Sequence, residues 1–533
     1  MRAVRRWAVA LGATCLVLWA AAGAAAAHAT LEQTTPGADV VLVEAPATVE
    51  LRFDEPVDPG LGGVRVIAPD GDRADRGRTE RAEGGLVVRA PIDAQTEGSY
   101  TVAWSVLSSD GHVISGSYVF SVGRTSQPAS DGGSDRPATR TAAGLGRWAA
   151  FAGTLLLGGS LAFERLTAAE HLEPARLRRL RWLGLGGAIT ALVGAGVVLV
   201  LQVALASGRS PLQSLHLIGD AVANTRFGAF TAWRLAVAAA AVAICTLRVA
   251  RPLRWTWVGA VLAASGLLVL PALAGHAWTG SPRAVAVVSD TVHQGAAAVW
   301  VGGLAALLVT APRSGQAMVL TRRFSAVALI AVVVVAVTGL GSAVIQVGSP
   351  EALTDTGYGR LLMIKVVGVG ILVVLGLLNR RLLIGRLTEG GTLFRVVGIE
   401  IGVAALVLAL TAALVNKPPA RDTFVEPFSA VVSLVDQPAT GSVQVEVFPA
   451  RAGANDIHLY FLDDDGLPRA VDAAEIALGR TGVPDRRIEV TQVRADHALS
   501  YGAVFPTAGT WTVTVTTARD GEVSTTALEV PIR

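Results

Sequence analysis

The chain reads as a multidomain membrane protein: an N-terminal β-sandwich, an α-helical bundle of about eight transmembrane helices and a C-terminal β-sandwich. Three observations predict this. Apolar residues make up 52% of the 533 positions and charged residues only 16%, against about 25% charged in ordinary soluble domains. The long apolar runs are confined to residues 1–27 and 142–417. The remaining stretches alternate apolar and polar residues between Pro, Gly and Asp, the pattern of half-buried strands. The 45 basic and 42 acidic residues nearly balance, so nothing in the charge suggests a nucleic-acid partner. The two cysteines, Cys15 and Cys245, cannot build a disulfide framework or a zinc cluster.

Residues 1–27 have the form of a secretory signal. Arg2, Arg5 and Arg6 supply the basic end, an apolar stretch follows, and Ala25 and Ala27 form an A-x-A cleavage site. Cleavage there makes His28 the mature N-terminus. The alternatives are an uncleaved anchor helix or a cut one or two residues away.

Residues 28–124 hold short alternating stretches such as "TVELRF", "GLVVRA" and "YTVAWSVL", which predict the first sandwich. Residues 125–141 are rich in Ser, Gly, Pro and Asp and predict a flexible linker. Within the sandwich, "SSDGHVISGSYVFSV" sets Asp110 and His112 one residue apart. In an extended segment both side chains share a face. Asp-Gly is also a common turn pair, so a hairpin turn with an exposed histidine fits equally. An N-terminal histidine adds two nitrogens from one residue, its α-amine and Nδ1. With an imidazole from His112 and a carboxylate from Asp110, this nitrogen and oxygen set fits tetragonal copper(II).

"HATLEQTTPGADVVLVEAPATVELRFDEPV" together with "GSYTVAWSVLSSDGHVISGSYVFSVG" resembles the periplasmic copper-binding CopC family. The resemblance implies a cupredoxin/Ig-like sandwich whose copper(II) ligands are His28, Asp110 and His112. Some members also hold a methionine-rich copper(I) site. The three methionines here, Met1, Met318 and Met363, all lie outside this domain, so copper(II) alone is implied.

Between 142 and 417, apolar segments recur at 142–164, 182–206, 228–249, 255–275, 284–311, 324–347, 360–379 and 395–416, each near the ~20 residues that cross a bilayer. One set of connections carries Arg165, Arg176, Arg178, Arg179, Arg181, Arg248, Arg251, Arg254, Arg313, Arg322, Arg323, Arg380, Arg381, Arg386 and Arg395. The alternate set carries chiefly Arg209, Arg226 and Arg283. The positive-inside rule makes the first set cytoplasmic. Both terminal domains then face outward across a bacterial plasma membrane, in keeping with the secretory signal. Trp148, Trp182, Trp255 and Trp257 near span ends are expected as interfacial anchors.

Polar residues in lipid usually face the bundle interior. His276 lies at the outer end of the fourth span, and His293 two or three turns into the fifth. Asp290 precedes His293 by three residues and shares its helical face. Two uses fit: hydrogen bonds between helices, or an outward-facing pocket that receives copper. "GHAWTGSPRAVAVVSDTVHQGAAAVWVGGL", "GYGRLLMIKVVGVGILVVLGLLNRR" and "LTAALVNKPPA" resemble CopD membrane proteins. That resemblance implies a copper path through His276 and His293. It also picks out Arg360 and Lys365, whose charges suit orienting or pairing with Asp290 or Glu400 better than ligation. His216 lies in an outer loop, and His171 faces the cytoplasm among arginines.

Residues 418–533 alternate again, as in "GSVQVEVFPA", "NDIHLYFLDDDG" and "GTWTVTVTTAR". They predict the second sandwich and resemble YtkA-like extracytoplasmic domains. His458 and His497 are candidate metal ligands there, although a lone strand histidine is more often structural. The expected function is capture of copper(II) outside the cell and its passage to a transmembrane path for import and copper homeostasis. The expected partners are copper ions, the lipid bilayer and other copper proteins. A chaperone or sensor that delivers copper without transport is the alternative. A copper oxidative enzyme fits less well, because Asp110 fills the position oxygen needs.

Overall fold

The computed structural model describes residues 29, 31–38, 40–108, 113–127, 129, 137–168, 172–275, 283–310, 316–379, 390–415, 417–424, 427–434, 441–480 and 483–532. The signal segment, His28, Asp110, His112, His171 and His276 lie outside the described residues.

The N-terminal sandwich comprises β1 (Leu31–Thr35), β2 (Val41–Leu42), β3 (Thr48–Phe53), β4 (Val57–Ile67), β5 (Glu80–Ala82), β6 (Val87–Pro91), β7 (Gly98–Ser108) and β8 (Val113–Val122). Two four-stranded sheets, ordered β1-β3-β6-β5 and β2-β8-β7-β4, pack face to face. The alternation read from sequence sets the inner face: in β3, Val49, Leu51 and Phe53 are buried and the residues between them are not. Tyr100 stacks on Phe120 at a centroid distance of 5.3 Å, and Phe53 meets Trp104 edge-on at 5.4 Å. The Tyr100 hydroxyl is buried without penalty because it donates to Thr96 O at 2.6 Å.

The connection to the bundle is shorter than the 125–141 linker expected from composition. Ser126 and Ser99 exchange two hydrogen bonds of 2.9 Å, and Thr101 Oγ1 donates to Ala129 O at 2.7 Å. These serine and threonine hydroxyls tie the start of the segment to β7. The first helix then begins at Pro137, five residues before the expected span.

The bundle runs through α1 (Pro137–Phe163), α2 (Pro174–Ser207), the short α3 (Ile218–Asn224), α4 (Arg226–Ala250), α5 (Arg254–Ala274), α6 (Arg283–Thr310), α7 (Gln316–Val347), the short α8 (Pro350–Asp355), α9 (Gly357–Leu378) and α10 (Gly390–Leu414). Among the described residues, seven helices are long and apolar enough to cross a membrane: α2, α4, α5, α6, α7, α9 and α10. α1 has the length, with 27 residues. Arg147 and its glycines lower its hydropathy. Those glycines serve packing: a Cβ on Gly153 would lie 2.3 Å from Ala191 N, and one on Gly194 2.4 Å from Ala150 N. The backbones of α1 and α2 therefore touch, the small-residue contact typical of membrane helices. α6 contains one widened turn at Ala298–Gly302, where the helix is of the π type.

Several polar groups in the bundle are paired across helices. Glu164, just beyond α1, takes an ion pair from Arg248 at the end of α4, and Arg181 of α2 approaches it at 3.7 Å. All three lie in the connections the arginine distribution assigns to the cytoplasm. Large apolar side chains such as Leu262, Val333, Leu340 and Val366 are exposed on the bundle's outside, as lipid contact requires. Trp182 and Trp255 are exposed in keeping with interfacial anchors. Trp148 is not free to play that part, because its indole donates to Ala405 O at 3.2 Å and joins α1 to α10.

The C-terminal sandwich comprises β9 (Phe428–Ser433), β10 (Ser442–Phe448), β11 (Gly453–Leu462), β12 (Ala473–Arg480), β13 (Val483–Ile488), β14 (Thr491–Arg494), β15 (His497–Phe505), β16 (Gly509–Arg519) and β17 (Glu522–Ile532). Its sheets are ordered β14-β15-β11-β10-β9 and β13-β12-β16-β17. Phe461, Phe505 and Trp511 fill the core with aliphatic residues from both sheets.

The N-terminal sandwich docks on the bundle. Leu61 of β4 packs with Leu199, Val203 and Ala206 of α2 and Ala221 of α3. Gly62 beside it comes so close that a Cβ would lie 2.3 Å from Ala206 O, and Ser105 Oγ donates to that same carbonyl at 3.2 Å. Leu61→Glu would bury a carboxylate against apolar side chains. It should raise amide hydrogen exchange in 57–67 and 218–224 about tenfold, the equivalent of ~1.4 kcal/mol, read by mass spectrometry on the purified chain. Unchanged exchange would mean that the domains do not dock this way.

Candidate metal centre

Ala29, next to His28, is buried, and its backbone N–H donates to Ser108 Oγ at 3.3 Å. Ser108 ends β7 and Val113 begins β8, and these strands pair down to Leu107 opposite Val113. β7 and β8 therefore form a β-hairpin. β1 belongs to one sheet and β7 to the other, so the Ala29–Ser108 bond closes one end of the sandwich. Val113 packs into the cluster of Leu61, Leu199, Val203, Ala206 and Ala221. The end of the sandwich that carries these neighbours is thus the end that meets α2 and α3.

In the bundle, one side of the His293 ring is held by the neighbouring helix. His293 Nδ1 on α6 lies 2.8 Å from Thr338 Oγ1 on α7. That hydroxyl lies 2.6 Å from Val334 O, to which it donates its proton. Its oxygen is then the acceptor for His293 Nδ1–H. This assigns the tautomer: Nε2 keeps the lone pair, as a metal-binding imidazole needs. Gly339, beside Thr338, leaves room for the ring, since a Cβ there would stand 3.1 Å from His293 Cε1.

Asp290 accepts from Gln294 Nε2 at 2.8 Å, one turn along α6. Lys365 on α9 acts electrostatically on both Asp290 and His293. Of the two partners expected for it, Lys365 takes Asp290, while Glu400 accepts from Asn379 at the end of α9. Arg360 is exposed on the same helix as Lys365. Five residues apart, their side chains point in different directions, about 140° apart. His276 follows α5, whose last turn is held by Arg226 Nη2 donating to Leu273 O at 2.6 Å. Among the described residues, no group of three or more His, Cys, Asp or Glu is gathered for a metal. His216 is exposed and lies 3.4 Å from Arg209 Nη1, an unfavourable setting for a second cation. Cys245 is buried.

Thr338 and Gly339 are site residues that sequence reasoning missed. Their only mark is a lone hydroxyl and a glycine closing the run "AVVVVAVTGLG". Thr338→Val keeps the side-chain shape but removes the hydroxyl beside His293 Nδ1, leaving the ring its hydrogen bond to the Val335 backbone. Losing one such hydrogen bond costs about 0.5–1.5 kcal/mol. The detergent-solubilised variant should unfold at lower temperature and show altered imidazole 15N shifts for His293, with Thr338→Ser restoring both.

Comparison with known proteins fits this architecture. Residues 31–123 match the CopC domain, residues 138–284 the copper resistance protein D-like N-terminal domain and residues 318–414 copper resistance protein D. The copper transport protein CutJ of Bacillus subtilis is 28% identical over 488 residues, 86% of each chain. Protein YobA of Escherichia coli is 35% identical over 124 residues, which are 22% of this chain and 93% of YobA. The crystal structure of CopC from Methylosinus trichosporium OB3b matches at 28% identity and a TM-score of 0.16, covering 20% of this chain and 98% of that one. A CopC domain followed by both parts of a CopD membrane domain in one polypeptide makes the chain a member of the multi-pass copper transport and resistance proteins in which CopC and CopD are fused.

Proposed function

We propose that the chain captures copper(II) outside a bacterial cell and passes it into a membrane path for import. His28, through its amine and Nδ1, Asp110 and His112 hold the ion at the N-terminal sandwich. The amine must lose its proton to bind, and its ordinary pKa is near 8, so copper competes with protons at neutral pH. With Asp110 in the ligand set no position is left open to oxygen, and the protein acts as a carrier and not as an enzyme.

The observation that carries this reading is the hydrogen bond from Ala29 to Ser108. It draws the chain neighbours of both halves of the ligand set to one end of the sandwich. That end packs on α2 and α3 through Val113 and Leu61, which favours a direct hand-over at the outer surface over transfer across a long tether. From there the path runs to His276 and then to His293, whose Nε2 is free of the Thr338 bond. Lys365 balances Asp290 and so keeps the region from holding a divalent ion too tightly. Both terminal sandwiches lie outside. The paired arginines at Glu164 support this orientation, because they sit in the arginine-rich connections.

Mass spectrometry of the mature protein should find His28 as its first residue. His112→Ala should abolish stoichiometric copper(II) binding by the N-terminal site, read by electron paramagnetic resonance. His293→Ala should leave that signal intact and lower radiolabelled copper uptake into cells at least tenfold. Unchanged uptake in His293→Ala, with surface binding preserved, would reassign the protein to copper delivery without transport.

A further inference from the structure

The outward face of the five-stranded C-terminal sheet carries a group that the copper path does not use. Along β11, Ile457, Leu459 and Phe461 are buried in the core, so His458 and Tyr460 point to the opposite face. Tyr460 stands directly across from His497 of β15, and Glu446 of β10 directly across from His458. The rings lie nearly parallel, with centroids 4.4 Å apart for Tyr460 and His497 and 5.3 Å apart for the two imidazoles. His458 Nδ1 comes to 3.1 Å from His497 Nε2, and the Tyr460 hydroxyl to 3.5 Å from the same Nδ1. All three side chains are half-buried and remain open to solvent. Two histidines separated by 39 positions in the chain are thus joined by strand register alone.

Two neutral imidazoles at this distance share one proton between facing nitrogens. Both facing nitrogens can ligate once that shared proton moves to the far nitrogen of its own ring. Two nitrogens bound to one cation at ~2.0 Å each lie ~2.8–3.4 Å apart across a right or tetrahedral angle. The observed 3.1 Å falls within that interval. Imidazole nitrogens favour copper(II) over the other divalent first-row ions.

We propose that the two imidazoles of His458 and His497 form a second copper(II) site in the C-terminal sandwich. Two protein nitrogens leave the remaining positions to water, so this site holds its ion more loosely than the chelate proposed at the N-terminus. It uses none of the residues of the path and stands or falls separately.

The test uses the full chain with His28, Asp110, His112, His276 and His293 all changed to Ala. Copper(II) is titrated in, bound metal is counted by elemental mass spectrometry, and the paramagnetic resonance spectrum is recorded. The expected result is one cupric ion per chain with splitting from two imidazole nitrogens. His458→Gln or His497→Gln, added singly, should remove that ion while the thermal midpoint stays within a few degrees. Absence of bound copper in the stripped chain overturns the proposal. So does a spectrum and stoichiometry unchanged after both histidines are replaced by Gln. Because the stripped chain lacks every ligand of the proposed path, neither outcome bears on that path, and failure of the path leaves this result readable.

Discussion

The seat of β4 on the outer end of α2 is the contact on which the rest depends. It is small. Leu61 fills an apolar recess, worth ~1.5–3 kcal/mol for a fully buried leucine, and one hydroxyl of Ser105 caps Ala206 O, worth ~1 kcal/mol. Gly62 allows the approach, since any side chain there would meet the helix backbone. Through this contact the end of the sandwich that holds Ala29, Ser108 and Val113 faces the membrane domain. Without it, a soluble domain would hang from a bundle with no fixed relation between their ends.

Within the bundle, lipid makes unpaired polar groups expensive, and the chain answers with a partner from another helix at each buried polar position that concerns the path. His293 has Thr338, Asp290 has Lys365, Glu400 has Asn379 and Glu164 has two arginines. The pairings differ in kind along the membrane. At Glu164, in the arginine-rich connections, they are full ion pairs. Around His293 they leave one ring nitrogen without a proton.

Much of this was legible in the sequence because the relevant signals are local. Hydropathy located each span to within a few residues, except where helices run past the membrane: α2 begins at Pro174 and α7 at Gln316, eight residues before their apolar cores. Arg147 and the glycines made α1 the weakest span by composition, yet its backbone contact with α2 is among the closest in the bundle. Strand alternation in "TVELRF" and "NDIHLYFLDDDG" predicted which side chains turn inward. Long-range pairing was not legible. Nothing near Thr338 in the sequence points to His293, and the meeting of His458 with His497 depends on the register of β11 against β15. Composition also suggested a long loose tether after residue 124, because serine and threonine hydroxyls that tie it to β7 look the same in sequence as those that do not.

The widened turn at Ala298–Gly302 has a consequence for how an ion crosses. One extra residue in a turn offsets the two halves of α6 by about 100°. Ser289, Asp290, His293 and Gln294 give the outer half a hydrophilic stripe, but the inner half, "AVWVGGLAALLVT", offers only Thr310 at its far end. Below His293 the stripe is broken both in phase and in chemistry, and Trp300 and Leu304 line a mainly apolar cavity there. For the proposed path this means that α6 offers polar side chains on its first half alone, so an onward step would draw on other helices or on a rotation of α6.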